Sequence, residues 1–256
     1  MVQALALSSS DARVATLGDA TLSDQSVPVR HLAVILDGNR RWAQRLRLQS
    51  IDGYRAGGRK VHALLSWCSE AGIPLVTLWP LSAENLSRDQ EELRALLTVI
   101  VEVFEELAGS HRWRLRVIGD LSRLPRGAAH RIQNAERRTA GIDGITVNIG
   151  VAYNGRLELL YAIRTLIANH LAAGTLDTLL TGLGPELIAS HLYTAGQPDP
   201  DLIIRTSGEQ RLSDFMLWQS AYSEFHFTPV CWPDFSRADF DEALRIYRSR
   251  HRRFGQ

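Results

Sequence analysis

Short, almost wholly apolar runs alternate along this chain with longer segments in which apolar residues recur every three or four positions. The short runs are typical of buried strands, and the longer segments are typical of amphipathic helices. Since such alternation normally gives a parallel sheet covered on both faces, it predicts a single α/β domain with a six-stranded, mainly parallel sheet flanked by helices. Strands are expected at Leu32–Leu36, Leu75–Trp79, Leu115–Ile118, Ile145–Val151, Leu202–Ile204 and Phe225–Val230, helices near 54–71, 90–108, 127–140, 156–173, 185–192 and 237–252, and a loop at 173–184.

The first predicted strand is followed by an acid, a glycine and two arginines, in the segment Asp37-Gly-Asn-Arg-Arg-Trp-Ala43. The residues after the turn have a helical pattern, and a helix start binds anions through unpaired N–H groups. Arg40 and Arg41 add full positive charge. Because a carboxylate repels a bare phosphate, Asp37 is expected to bind a divalent cation that bridges to that phosphate. Taken alone, such a segment is more often an ordinary strand–turn–helix junction.

A second cluster of cations follows the fifth predicted strand, between Asp201 and Ser213. Arg205 and Arg211 provide forked guanidinium groups and Ser213 a hydroxyl, which suit a diphosphate better than a single carboxylate. In an open parallel sheet, ligands bind outside the carboxyl ends of the strands, where both clusters fall. Two anion sites in one small domain indicate two phosphorylated substrates, or one large one.

Composition narrows the possible classes of function without choosing among them. The chain has 256 residues and a net charge of +1, so it is long enough for a sizeable core and gives no reason to expect nucleic acid as a partner. Its two cysteines, Cys68 and Cys231, form neither a disulfide framework nor a metal-binding spacing.

The two ends of the chain differ in predicted order. Residues 1–29 lack a basic start followed by an apolar core, so they are expected to be a flexible N-terminal tail rather than a signal peptide. Residues 30–256 are expected to form one catalytic domain. No segment approaches the roughly 20 apolar residues of a spanning helix. We therefore expect a soluble, cytoplasmic protein with no stable membrane insertion.

Four segments together resemble the motifs of the cis-prenyltransferases, the undecaprenyl diphosphate synthase family. They occur in the family's order, and the resemblance covers about residues 30–256. Each motif is short, but their combination in this order is far more specific than any one of them. The DGNGRWA motif stands as Asp37 to Ala43, the SxEN…R motif as Ser82-Ala-Glu-Asn85 with Arg88, the late block as Asp201 to Ser213 continuing to Glu224, and the C-terminal RxG motif as Arg253-Phe-Gly255.

The resemblance implies a Mg²⁺-dependent homodimeric prenyltransferase with an apolar tunnel between sheet and helices. An allylic diphosphate ionises, positive charge stabilises the departing diphosphate, the double bond of a second, homoallylic or allylic diphosphate attacks, and a proton leaves. By resemblance, Asp37 and Glu224 hold Mg²⁺, and Asn85 and Ser82 lie where the proton is lost. The allylic diphosphate is assigned to Gly38, Asn39, Arg40, Arg41 and Arg88, the second diphosphate to Arg205, Arg211 and Ser213, and further substrate contacts to Trp42, Ser50, Tyr54, Arg253 and Gly255.

Departures from the family pattern concern the allylic site. Aligned without gaps, Ser50 and Tyr54 stand where long-chain members have an Arg and a His that contact the allylic diphosphate. Arg40 stands where the family has a glycine, so some of the lost positive charge is restored locally. We expect diphosphate binding to survive and the orientation of the allylic substrate to differ.

Product length and regiochemistry are the finer questions. The bulky segment Trp79-Pro80-Leu81 precedes Ser82 where smaller residues would leave room, so it is expected to limit the tunnel. Together with Asp37 to Ala43, Gly53 to Gly57 and Gly196 to Leu202, this segment resembles the actinobacterial short-chain members, which make fifteen-carbon Z diphosphates. Head-to-tail condensation is slightly preferred because the SxEN…R motif is retained, and head-to-middle condensation of two allylic diphosphates, giving lavandulyl-type products, is the alternative. A non-catalytic partner subunit and a phosphate-binding regulator are further alternatives, disfavoured by the retained motif residues. The expected tunnel wall includes Leu96, Leu97, Ile100, Val101 and Phe104, although several of these would pack the core in any case.

Overall fold

The computed structural model describes residues 28–250, and a six-stranded sheet forms its centre. The strands lie in the order β3-β4-β2-β1-β5-β6, and all the pairings within the described residues are parallel. The predicted six-stranded α/β fold is confirmed, with the strands starting or ending up to three residues from their predicted bounds. The strands are β1 (His31–Ile35), β2 (Leu75–Ser82), β3 (Trp113–Ile118), β4 (Ile145–Tyr153), β5 (Leu202–Arg205) and β6 (Glu224–Phe227).

The helices follow the predicted alternation, with one addition. The helical pattern after Gly38 forms a short helix, as expected, and the additional helix lies within 173–184, where the sequence predicts a loop. That expectation is wrong: the leucines at 176, 179, 180 and 183 have helical spacing, which the flanking glycines obscure. The helices are α1 (Asn39–Arg45), α2 (Ser50–Glu70), α3 (Gln90–Gly109), α4 (Arg126–Thr139), α5 (Gly155–Ala173), α6 (Leu176–Gly182), α7 (Pro185–Ala189) and α8 (Arg237–Ser249).

Both faces of the sheet are buried, as the continuous apolar strands predict. On β1, Leu32 and Val34 face a large core shared with α2, α3, α4 and α8. Ala33 and Ile35 face a smaller core, in which Trp79 stacks on Phe215 with ring centroids 4.9 Å apart. The larger core fixes the side of the sheet on which a tunnel between sheet and helices would have to lie.

Helix α5 is less completely covered than the other long helices. Ala162 and Leu166 are buried, but an apolar stripe on its outer face is 41% to 66% exposed. A patch of this kind on a folded chain normally marks an interaction surface. The exposed stripe consists of Leu160, Tyr161, Ile163, Ile167 and Leu171.

The direction in which successive strands are added to the sheet changes beside β1. β1 pairs with β2 on one side and with β5 on the other, so the segments that leave β1 and β5 diverge and open a crevice at their carboxyl ends. Asp37 and Arg205 lie at that crevice.

The predicted tail lies almost entirely outside the described residues. Val29, which the sequence analysis places in it, is 8% exposed and belongs to the large core. No helix within residues 28–250 is long and apolar enough to cross a membrane.

Candidate active site

A cleft of about 1210 Å³ opens at the carboxyl ends of β1, β2 and β5. The structure brings together most of the predicted site residues in this one cleft, although they come from distant parts of the chain. Those lining it are Asp37, Gly38, Asn39, Arg40, Arg41, Tyr54, Ser82, Asn85, Arg88, Arg205, Arg211 and Ser213.

Asp37 lies between the two predicted anion sites and is held by cations from both. Its Oδ2 accepts a hydrogen bond from Arg205 Nη2 at 3.0 Å, and its Oδ1 lies 3.7 Å from Arg41 Nη2. The Asp37 backbone is tied to β5, because its N–H donates to Thr206 Oγ1 at 3.0 Å. The carboxylate is therefore fixed at the crevice while its side chain remains one third exposed.

The turn after Asp37 depends on the small size of Gly38. Its φ of 102° lies in the left-handed region, which glycine adopts without strain. A Cβ there would also come within 2.9 Å of Ser207 Cβ and 3.0 Å of Cys231 Cα. The Asp-Gly-Asn sequence predicts the turn, and the structure adds that Gly38 lets the start of α1 approach the loop that follows β5.

Arg205 is the most deeply buried cation of the cleft, with 5% of the residue exposed. Besides Asp37, its guanidinium donates to Ser213 Oγ at 2.8 Å and to the Arg211 carbonyl oxygen. Its Nε is buried and has no hydrogen-bond partner within the described part of the chain. A buried donor without a partner is unfavourable, so Arg205 is held in this position at some cost in stability.

The loop that carries Ser213 is strained in the way that functional loops often are. Ser207, Ser213, Asp214 and Met216 have positive φ angles between 47° and 79°, although none of them is glycine.

Arg211 is far more exposed than Arg205, at 63% of its side chain, and pairs with Glu209. The two arginines, which the sequence analysis treats alike, therefore have different surroundings.

On the opposite side of the cleft, Glu92 binds three of the groups around the expected allylic site. Its carboxylate lies 3.3 Å from Arg40 Nη1 and 3.2 Å from Arg88 Nη1, and it accepts a hydrogen bond of 2.8 Å from Tyr54 Oη. Arg88 also donates to Tyr54 Oη at 3.3 Å. Burial, and then the hydrogen bond to Glu92, raise the pKa of Tyr54 to about 12, so the phenol stays protonated at neutral pH.

The Ser82–Asn85 segment forms the third wall of the cleft. Ser82 Oγ accepts a hydrogen bond from Asn85 N at 3.2 Å, and a single 3₁₀ turn follows at Glu84–Ser87. Capping of the next helix is an alternative explanation for Asn85, but α3 is capped by Asp89, whose side chain accepts from Glu91 N and Glu92 N. Asn85 is therefore left to face the cleft.

A second, apolar cavity of about 60 Å³ lies between the sheet and helices α2 and α3. Leu36, Asn39, Tyr54, Pro80 and Leu96 line both the cavity and the cleft, so the two are adjacent. Deeper in, the cavity is lined by Leu78, Ile149 and Trp232 together with Val99, Ile100, Val103 and Phe104 of α3.

Only part of the expected tunnel wall lines this cavity. Pro80, Leu96, Ile100 and Phe104 do, whereas Leu97 and Val101 pack elsewhere in the core. Leu81 is fully buried in the large core, and the Trp79 ring packs on Phe215, against the opposite face of the sheet. Trp79 and Leu81 thus do not line this cavity, although Trp79 lines the cleft, because the irregular register between Leu78 and Ser82 directs their side chains to opposite faces of the sheet.

Trp42, Ser50 and Glu224 are not among the residues that line the cleft. Trp42 donates its indole N–H to Asp234 at 2.6 Å, and Ser50 is the first residue of α2. Glu224 pairs with Arg250 at 2.6 Å and begins β6 opposite Leu202, roughly 10 Å along the strand from Arg205. Within one chain, Glu224 does not reach Asp37. Arg253 and Gly255 lie outside the described residues.

Sequence analysis misses several residues that shape the cleft. Glu92 lies four residues after Arg88, but Arg88 precedes α3, so the sequence alone does not place the two side chains together. Thr206 and Asn154 have no signal in the sequence beyond their neighbours, since their contacts depend on which strands are adjacent. Two further arginines, Arg123 and Arg156, line the mouth of the cleft.

The residues present fit a magnesium ion only in part. Among residues 28–250, no three His, Cys, Asp or Glu side chains form a metal-binding group. Mg²⁺ is commonly bound by one or two carboxylates together with substrate phosphates and water, and Asp37 provides one such carboxylate beside the arginines of the cleft. This single carboxylate would suit a metal that is bound together with a phosphorylated ligand.

Comparisons with known proteins agree with this architecture. A family model described as putative undecaprenyl diphosphate synthase matches residues 35–255. A short-chain Z-isoprenyl diphosphate synthase of Mycobacterium leprae is 50% identical over 239 residues, which cover 92% of this chain and 91% of the relative. A (2Z,6E)-farnesyl diphosphate synthase of Mycobacterium tuberculosis is 48% identical, over 89% of this chain and 88% of the relative.

Similar solved structures include a plant enzyme. The crystal structure of lavandulyl diphosphate synthase from Lavandula x intermedia, in complex with dimethylallyl diphosphate, superposes with a TM-score of 0.84. It is 35% identical, and the match covers 89% of this chain and 98% of that one. Family model, relatives and fold agree over nearly all of the described residues. The chain therefore belongs to the undecaprenyl diphosphate synthase family and is a prenyltransferase.

Proposed function

We propose that this protein is a short-chain prenyl diphosphate synthase that condenses an allylic diphosphate, dimethylallyl or geranyl, with isopentenyl diphosphate. The product has about fifteen carbons and a Z double bond, and diphosphate is released. The observation that carries the proposal is a single cleft in which Arg40 and Arg88 meet at Glu92 on one side and Arg205 contacts Asp37 on the other, with an apolar cavity beside the first side.

Arginines on the two sides of the cleft suit two different diphosphates. Arg40 and Arg88 lie on the side that adjoins the apolar cavity, so the ionising allylic diphosphate is assigned there with its chain towards the cavity. Arg41 lies between the two sides, since it contacts Asp37 as well as the loop that follows β5. Arg205 and Ser213 bind the second diphosphate on the other side. Positive charge already in place around the departing diphosphate lowers the barrier to ionisation. Asn85 and Ser82 face the cleft where the proton of the second substrate leaves.

Magnesium is the cofactor proposed for this cleft. Asp37 would hold it beside the bound diphosphate, where it would supply positive charge to offset the charge of the leaving group. Arg205 would keep its place if Asp37 turned to a metal, because its other two contacts, to Ser213 and the Arg211 carbonyl, do not involve the carboxylate.

The side chains that line the apolar cavity are proposed to limit product length. They are bulky, and Phe104 among them is fully buried. A growing chain meets these side chains after few additions, which supports a product shorter than those of long-chain family members. The short-chain Z-isoprenyl and (2Z,6E)-farnesyl diphosphate synthases among the relatives support the same conclusion.

The enzyme is proposed to act as a homodimer that buries the exposed apolar stripe of α5. A second copy is also the means by which Glu224, which does not reach Asp37 within one chain, can contribute to a metal site. Light scattering after size-exclusion chromatography tests the assembly. Ile163→Lys, at the centre of the stripe, is expected to give monomers, and a wild-type monomer at micromolar concentration would contradict the proposal.

Head-to-middle condensation of two allylic diphosphates is the second candidate. It is supported by the likeness to lavandulyl diphosphate synthase and by Tyr54, whose phenol contacts Arg88. Ser50, the other departure that favours it, does not line the cleft. Asn85, Ser82 and Arg88 all line the cleft, so the head-to-tail reaction remains preferred.

A competition experiment tests the proposal. Geranyl diphosphate is offered with deuterated isopentenyl diphosphate and unlabelled dimethylallyl diphosphate in Mg²⁺, and the products are identified by NMR. Exclusive incorporation of deuterium into a linear Z product supports the proposal. A branched, unlabelled product favours the head-to-middle reaction. No release of diphosphate from any pair identifies a non-catalytic subunit and refutes both.

A further inference from the structure

A short turn between β4 and α5 contacts two of the loops that line the cleft. It consists of Asn154, Gly155 and Arg156, all three of which line the cleft or adjoin it. Asn154 is 8% exposed and is the N-cap of α5, since its Oδ1 accepts a hydrogen bond from Leu157 N at 3.0 Å. The amide oxygen is thus used for capping, and the amide nitrogen is free for another contact.

That second contact joins the turn to the loop that carries Asn85. Asn154 Nδ2 donates a hydrogen bond to Glu84 Oε1. One residue earlier on each segment, Ala83 N donates to the Tyr153 carbonyl oxygen at 3.0 Å. Two consecutive residues at the end of β4 therefore hold two consecutive residues of the loop, directly before Asn85.

On its other side, the turn is joined to the loop that carries Ser213. Gly155 N donates to the Asp214 carbonyl oxygen at 2.8 Å, and Arg156 Nε lies 3.5 Å from Asp214 Oδ1. A Cβ at Gly155 would come within 2.7 Å of that carbonyl oxygen, so glycine permits the close approach. Ser213, the residue before Asp214, accepts a hydrogen bond from Arg205.

We infer that this turn is a spacer that sets the separation between Asn85 and the diphosphate site of Arg205 and Ser213, with Asn154 as a positioning residue. The inference rests on the proposed function, in which the second substrate spans these two points. Bond formation requires reacting atoms about 3–3.5 Å apart, and a shift of about 1 Å costs roughly 100-fold in rate. A turn that ties both loops to the rigid end of β4 keeps that separation fixed.

Substitution of Asn154 by serine separates the two uses of the side chain. Asn154→Ser keeps an oxygen that caps α5, but its side chain is too short to reach Glu84. We expect kcat to fall by roughly tenfold or more while KM for each diphosphate changes by less than about threefold, because orientation is lost and binding is retained. Glu84→Ala is expected to give the same loss. Glu91→Ala is the matched control, since it removes an exposed carboxylate from the same region that has no contact with Asn154.

A double variant and hydrogen exchange complete the test. Because Asn154→Ser and Glu84→Ala break one contact, the double variant is expected to lose no more activity than either alone. Amide exchange of the peptide containing residues 82–87 is expected to speed up in Asn154→Ser, while exchange within α5 stays as in the wild type. Unchanged exchange at 82–87 overturns the inference, as does an active wild type whose Asn154→Ser variant keeps its kcat. If the wild type releases no diphosphate, the proposed function is overturned instead. The exchange of residues 82–87 in Asn154→Ser then tests separately whether the turn holds the loop in place.

Discussion

Arg205 and Arg211 offer a sharp test, because the sequence assigns them the same role and the structure gives them different surroundings. Arg205 makes three contacts with its guanidinium, to Asp37, Ser213 and the Arg211 carbonyl oxygen, and is 5% exposed. Arg211 is 63% exposed at its side chain. We therefore predict that lysine is tolerated at position 211 and not at position 205.

The expected magnitude follows from hydrogen-bond geometry. Lysine keeps the positive charge. Its single ammonium group cannot replace a planar guanidinium group that donates hydrogen bonds to three separate partners. Each hydrogen bond to a charged group contributes about 1.5–3 kcal/mol, so loss of one such contact with the bound diphosphate corresponds to about 10- to 150-fold in affinity. At the exposed position, a lysine keeps most of the electrostatic attraction, and a change of less than about threefold is expected.

The assay is steady-state kinetics with varied isopentenyl diphosphate at saturating allylic diphosphate. Arg205→Lys is expected to raise KM for isopentenyl diphosphate by at least tenfold with a smaller change in kcat, because the contact exists in both the ground state and the transition state. Arg211→Lys serves as the matched control. Equal effects of the two substitutions, or a larger effect at position 211, would refute the argument from burial and fork geometry.

Three further predictions concern the metal site, product length and pH. Asp37→Asn is expected to lower kcat at least about 100-fold and to weaken the dependence on Mg²⁺ in a metal titration, while thermal denaturation still shows a folded protein. Leu96→Ala is expected to lengthen the product in mass spectrometry and the neighbouring Leu97→Ala is not, since both are buried but only Leu96 lines the cavity. Burial lowers the pKa of His31 from 6.5 to about 4. The neutral ring is thus favoured in the folded state, and urea denaturation should show up to about 3 kcal/mol of stability lost as the pH falls from 6.5 towards 4, with a smaller loss in His31→Asn.

The fold was open to prediction because apolar runs and turn residues act locally. All six strands and the long helices follow from periodicity, and the glycine turn after Asp37 follows from the sequence Asp-Gly-Asn. The strand order does not follow, because nothing local in β1 specifies β5 as its neighbour. The contact between Asp37 and Arg205 depends on that pairing. The sequence therefore predicts that both anion sites lie at one edge of the sheet, but it does not predict that the Asp37 carboxylate binds an arginine of the second site.

Side-chain direction near irregular strand ends was the other limit. A strand of regular alternation would have allowed Trp79 and Leu81 to be assigned to a face, but the register shifts between Leu78 and Ser82 remove that regularity. The same shifts bring Ala83 against Tyr153 and so create the contact between Glu84 and Asn154. The features that sequence could not supply are thus concentrated where the backbone departs from standard geometry.

Carboxylates hold the arginines of this cleft in place, so the net positive charge of the cleft is smaller than its number of arginines suggests. Asp37 holds Arg205, Glu92 holds Arg88 and Arg40, and Glu209 pairs with Arg211. The positive charge of Arg40, which the sequence suggests as a replacement for lost cations, is therefore partly neutralised before any ligand arrives. The carboxylates weaken the electrostatic attraction between the cleft and a diphosphate. They also fix the guanidinium groups beforehand, so these groups lose less side-chain freedom on binding, and this smaller entropy cost partly offsets the weaker attraction. Under the proposed function, a diphosphate is expected to bind better than a smaller anion, because only a ligand large enough to contact several held arginines at once offsets the carboxylates beside them.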